Sequence, residues 1–141
     1  MDGGYNKTMK AKSLILSTLA LALLLGSCSV SSENMQKDLE AEGYQVTLVD
    51  AKDYRANSIL KDITEPFDFA TYLEATKDNK DALFAWFFFS IRDAEDWYRF
   101  SGPWLDGIEY GEETMKSGQK NNCIYLGTAN ARSVSKLDRF F

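Results

Sequence analysis

Two groups of carboxylates and one group of aromatic rings are the residues of this chain that could do chemistry. Asp93, Glu95 and Asp96 crowd four positions. Asp106, Glu109, Glu112 and Glu113 follow within twenty more. Paired carboxylates can share acid and base roles, and a ring of oxygens can hold a hard cation such as calcium. The second group lacks the spacing of an EF-hand loop, so a solvated acidic loop competes with it. Acidic residues in the first turn of a helix are also ordinary complements to its dipole, which is the plainer reading of the first group. Trp104 and Tyr110, with Trp97 and Tyr98 just upstream, offer rigid ring area suited to a peptide or glycan ligand. The plainer reading there is that Trp97 and Trp104 cover a neighbouring hairpin.

Histidine is absent from all 141 residues. That removes the commonest general base near neutral pH and excludes serine-histidine and cysteine-histidine catalysis. No phosphate-cradling glycine motif and no cysteine metal cluster occurs, so the sequence calls for no cofactor and names no catalytic residue.

An address is easier to read than an activity. Residues 13–25 are almost wholly apolar, preceded by Lys7, Lys10 and Lys12 and followed by Gly26, Ser27 and Cys28. This order is that of an export signal, and the run falls short of the roughly 18 residues a spanning helix needs. A second methionine, Met9, opens a compact form of the same signal. Leu25-Gly26-Ser27-Cys28 resembles the lipobox of bacterial lipoproteins. That resemblance implies removal of residues 1–27, lipidation of Cys28 and a partner in the lipid bilayer, on the extracytoplasmic face of the cell membrane. Acyl chains anchor at about 0.8 kcal/mol per buried methylene. If Cys28 stays a thiol instead, a disulfide to Cys123 is open to it outside the cell. With Cys28 acylated, Cys123 reads as a small buried hydrophobe in a strand.

The expected mature chain keeps 13 basic and 20 acidic side chains. Such a balance repels phosphate backbones, so nucleic acid is a poor partner. An envelope protein, peptide or glycan fits better.

The elements that must position these groups follow from periodicity. A tether over 28–33 leads to a single domain over 34–141. Met35 and Leu39 before Gly43 predict a short helix, and 44–49 alternates as a strand. Residues 51–63 are ambiguous, since Ile59, Leu60 and Ile63 fit either a short helix or a ragged strand, and Pro66 blocks continuation. Phe67, Phe69, Thr71, Leu73 and Ala75 alternate with Asp68, Ala70, Tyr72 and Glu74, and the polar stretch 77–81 then turns the chain into 83–91, apolar on both faces. A hairpin whose second strand is central and covered on both sides accommodates this. Asp93 is placed to cap a helix ended by Gly102-Pro103. Residues 104–122 show no strong period beyond a possible short helix at 112–115. Cys123 to Leu126 reads as a strand, and Thr128 is placed to cap a last helix presenting Val134, Leu137 and Phe141. The sum is an α+β domain, a mainly antiparallel sheet of about four strands with helices on one face, of ferredoxin-like character.

Gly43-Tyr44-Gln45-Val46, Asp93-Ala94-Glu95-Asp96 and Ile124-Tyr125-Leu126-Gly127-Thr128-Ala129 together resemble small lipoproteins of Gram-positive bacteria. That resemblance implies an address and a domain type without an activity or site residues. The favoured expectation is a non-enzymatic binding module on the cell envelope; the alternative is a carboxylate- or metal-dependent hydrolase.

Overall fold

A computed structural model describes residues 30–55 and 69–138. The chain opens with α1, Ser32–Ala41, capped by the Ser31 hydroxyl, which accepts from the Asn34 N–H. Gly43 takes φ +88° just past its end, and the Tyr44 N–H closes back on the Leu39 carbonyl. That left-handed glycine stop hands the chain to β1, Gln45–Asp50. A single 3-10 turn, Ala51–Asp53, follows. Ile59, Leu60, Ile63 and Pro66, where the sequence was ambiguous, lie outside the described residues.

Strands β2, Phe69–Lys77, and β3, Asp81–Phe88, form the expected hairpin. Asp78 and Asn79 both take φ 55° in its turn, a conformation these two residue types adopt at little cost. One departure from strict alternation appears in β2. The register shifts between Phe69 and Thr71, so Phe69 falls on the same face as Tyr72 rather than with Leu73 and Ala75. A bulge inserts one extra residue and thereby reverses the side on which everything before it points.

Helix α2, Ile91–Leu105, begins at Ser90, whose hydroxyl accepts from the Asp93 N–H. Asp93 is therefore in the first turn and is not the cap. The helix runs through Pro103, whose missing N–H costs a single bond close to the helix end. Residues 104–122 hold three short strands where the sequence showed no period. A two-stranded ribbon, β4 Glu109–Tyr110 with β5 Glu113–Thr114, takes the place of the possible short helix, and β6, Lys116–Lys120, pairs with β7, Cys123–Gly127. The last helix is short: α3, Ala129–Val134. Thr128 stands at its cap position, but its hydroxyl is taken by the Ala82 N–H. Phe141 lies outside the described residues.

Among the described residues the main sheet has five strands in the order β1-β2-β3-β7-β6, antiparallel throughout. The α+β class and antiparallel sheet are as the sequence implies, with one strand more than the expected four. The apolar run is indeed the central strand. Within the sheet, β3, α2 and β6 form a split β-α-β unit with β7 between its two strands, which is the ferredoxin-like element of the fold. The helices, however, lie on both faces and not on one. α2 covers the face carrying Tyr72, Phe84, Trp86 and Ile124, while α1 and α3 cover the face carrying Leu73, Leu83, Ala85 and Tyr125. The reason is in β3, whose seven consecutive residues from Ala82 to Phe88 are all buried. A strand apolar on both sides demands a cover on both sides.

The domain also begins earlier than the expected tether allows. Val30 packs against the α1 side of the core and its N–H donates to Asn122 Oδ1 at 2.8 Å. Ser32 is buried.

Candidate functional site

Asp93, Glu95 and Asp96 are all exposed on the first turns of α2. Asp96 meets Arg99 at 4.0 Å on the surface. Nothing there gathers carboxylates around a common point.

The second acidic group is divided by the fold. Asp106 Oδ1 accepts from the Ser117 hydroxyl at 2.6 Å, and that hydroxyl lies 2.8 Å from the Tyr98 phenol, so the three residues fasten the end of α2 to β6. Gly102 allows this, since the Tyr98 ring lies over it at 3.0 Å from where a Cβ would stand. Glu113 accepts from the Ala129 N–H at the start of α3. Glu109 stays exposed on the ribbon. What the structure brings together instead is Glu112 and Glu113 with Asp78 and Asp81 of the β2–β3 turn, around an open cleft of about 840 Å³ that also meets Lys80. The approach is close because Gly111, at φ +62°, lies against the Asn79 carbonyl; a Cβ there would stand 3.0 Å from that oxygen. This grouping joins turns more than thirty residues apart, so no local spacing announces it. Among the described residues no set of three or more Cys, Asp or Glu side chains is arranged to hold a metal ion.

A smaller cleft of about 400 Å³ lies between Lys116, Ser117, Tyr125, Arg132 and Asp138. Its buried guanidinium is already engaged, with Arg132 Nε donating to the Gly127 carbonyl at 3.0 Å and the head paired with Asp138. Burial, with Asp138 nearby, pushes the Tyr125 phenol up to about 12.

The aromatic candidates separate sharply. Trp97 is packed on Trp86 and Phe88, with ring centroids 5.8 and 5.7 Å apart. Tyr110 is half-buried against the same core. Trp104 does not cover the hairpin: it is 74 % exposed, and its neighbour one turn back, Phe100, is 76 % exposed. Trp104 and Tyr110 therefore do not form one surface, whereas Phe100 and Trp104, four apart on α2, do. The sequence pointed to Trp104 and missed Phe100. Helical phase is the signal that finds it, because Ala94, Ser101 and Leu105 define the buried side and leave Phe100 on the other. Phe89, 77 % exposed just before α2, is the third large apolar side chain in water among the described residues.

Cys28 lies outside the described residues. Cys123 is fully buried, and desolvation raises its thiol well above the ordinary cysteine range, the behaviour of a packed hydrophobe and not of a nucleophile. No helix among the described residues is long and apolar enough to cross a membrane. No family model matches the chain, and neither does any curated protein or solved structure.

Proposed function

We propose that this protein is a non-enzymatic binding module of the cell envelope, held by acylated Cys28 on the extracytoplasmic face of the membrane and engaging a peptide or glycan through the Phe100 and Trp104 stripe of α2. The observation that carries the binding half is the exposure of those two rings on adjacent turns, while Trp86 and Trp97 are drawn into the core. Large rigid rings held in water on a secure helix give contact area at low entropic cost. The hydrolase alternative would need carboxylates converging on one point, and its two groups stand far apart. Asp93 lies at the start of α2 beside the Phe88 end of β3, and Glu112 lies beside the hairpin turn at the other end.

The anchoring half rests on the lipobox resemblance, and the mass of the chain extracted from membranes in mild detergent tests it. A chain beginning at Cys28 and carrying acyl groups is expected; an unacylated mass makes the protein a secreted one. The binding half is tested by following tryptophan emission while titrating with envelope peptides and glycan fragments. Trp104 is the water-exposed indole, so a ligand on the stripe shifts emission to the blue, and Trp104→Phe with Phe100→Ala removes the shift at unchanged melting temperature. Emission that no ligand moves, or that moves equally in the double variant, refutes the stripe.

A further inference from the structure

We infer that one end of the sheet, the end bearing Phe89, is the surface this domain rests on a lipid bilayer, so that the acidic cleft points away from the membrane and the Phe100 and Trp104 stripe stands at the side. The inference rests on the proposed acylation of Cys28 and adds where that anchor must emerge.

The pin is Asn122, in the turn between β6 and β7. Its Oδ1 accepts from the Val30 N–H at 2.8 Å, its carbonyl accepts from the Phe88 N–H at 2.8 Å, and its Nδ2 donates to the Phe88 carbonyl at 3.3 Å. One side-chain amide thus ties the start of the domain to the end of the central strand. Cys28 is two residues before Val30, and two residues span at most about 7 Å. A lipid on Cys28 therefore leaves the chain within roughly 10 Å of Asn122. Phe89, the residue after Phe88, is the most exposed large apolar side chain described. A phenyl ring in water beside an acyl anchor gains free energy by entering the interface, whose headgroup and acyl boundary accepts such groups to a depth of about 5–10 Å.

Charge separates the same two ends. The Phe89 end carries charges of both signs: Lys52, Arg55 and Arg92 stand with Asp50, Asp53, Asp93 and Glu33, and Lys136 is paired with Asp38 at 3.5 Å. The Lys120 ammonium, donating to the Lys136 carbonyl at 2.8 Å, lies there too. At the other end, roughly 25 Å away along β3 at about 3.3 Å per residue, the cleft gathers Asp78, Asp81, Glu112 and Glu113 around Lys80. An anionic headgroup layer repels the acidic second end and is tolerated by the mixed first one. Anchor exit, exposed ring and charge all select the same orientation.

The test uses the acylated full chain in vesicles of phosphatidylethanolamine and phosphatidylglycerol, spin-labelled at Phe89→Cys or, separately, at Asn79→Cys; Cys123 is buried and takes no label. On incorporation the label at 89 is expected to gain collisions with oxygen and lose them with a water-soluble nickel chelate, while the label at 79 keeps its aqueous values. In acylated, vesicle-bound protein, a label at 89 that stays open to the nickel chelate, or a label at 79 that becomes shielded, overturns the orientation and leaves the anchor standing. A mass showing no acyl group on Cys28 removes the anchor and the orientation together.

Discussion

The two faces of the central sheet are filled in different ways. Under α2 lie rings: Tyr72 against Trp86 at 5.6 Å, Trp86 against Trp97 at 5.8 Å, and Phe69 against Phe88 at 6.5 Å. Under α1 and α3 the strands present mainly Leu73, Ala75, Leu83, Ala85 and Cys123, with Phe87 and Tyr125 among them. One long helix covers a face built mostly of rings, whereas two short helices cover one on which Leu, Ala and Cys stand beside Phe87 and Tyr125. A single strand supplies both, since β3 alternates Phe84, Trp86 and Phe88 with Leu83, Ala85 and Phe87. The contrast teaches that apolar character alone does not define a face, since one strand can feed a face rich in rings and a face rich in aliphatic side chains.

The strongest way to break the contrast is to empty the ring face. Trp86→Ala is expected to cost about 3–5 kcal/mol, read as a fall in the urea midpoint, because the hole it leaves opens among rings that cannot all collapse into it. Overfilling the other face tests its packing. Ala85→Leu, at a fully buried site, is expected to cost about 1–3 kcal/mol by the same measurement, and a neutral result would mean that α1 and α3 can retreat freely.

Alkaline pH touches both faces more gently. Burial raises the Tyr125 phenol to about 12, and Tyr72, whose hydroxyl donates to Glu74 at 2.8 Å, is raised further still. A folded value above the unfolded one near 10 means that the protonated phenol favours folding. This contribution is complete below about pH 10 and is lost as pH climbs towards 12, so the melting temperature should hold through pH 9 and fall beyond it. The smallest effect belongs outside the contrast altogether. Trp104→Ala is expected to change stability by less than about 0.5 kcal/mol, since its ring touches mainly water, and a larger loss would make Trp104 part of the ring face after all.

The local pattern carried the elements whose cues are short-range. Met35, Leu39 and Gly43 marked α1, and the polar stretch 77–81 marked the hairpin turn. Apolar residues on both faces of 83–91 identified the centre of the sheet, although the strand ends at Phe88, Phe89 is exposed, and Ser90 and Ile91 belong to the start of α2. Region 104–122 resisted because β6 is an edge strand of Lys, Ser, Gly and Gln, whose pairing is set by its neighbour β7 and not by its own apolar period. Gly118 sits there because the Tyr125 ring crosses directly over it, with the phenol oxygen 2.3 Å from where a Cβ would stand. No spacing in the sequence foretells that contact. The placement of helices on both faces was implicit in β3 but was read only as burial, and the bulge that turns Phe69 around had no local sign. At the site, Trp104 was legible by residue type, Phe100 by helical phase, and the Asp78 to Glu112 cleft by neither.

The strand order carries a further meaning for how the chain reaches its fold. β3 gains its second neighbour only when β7 arrives, after α2, the ribbon and β6 have all been made. Until then, 83–88 is a bare edge, β-prone, uncharged and free of proline, of the kind that recruits other chains. Closing it across so long a loop is also the entropically costly step, which places the commitment to fold late in synthesis. A chain cut short of Gly127 is accordingly a sticky one, and safe passage to the native state depends on keeping that stretch from meeting another copy of itself before its own last strand appears.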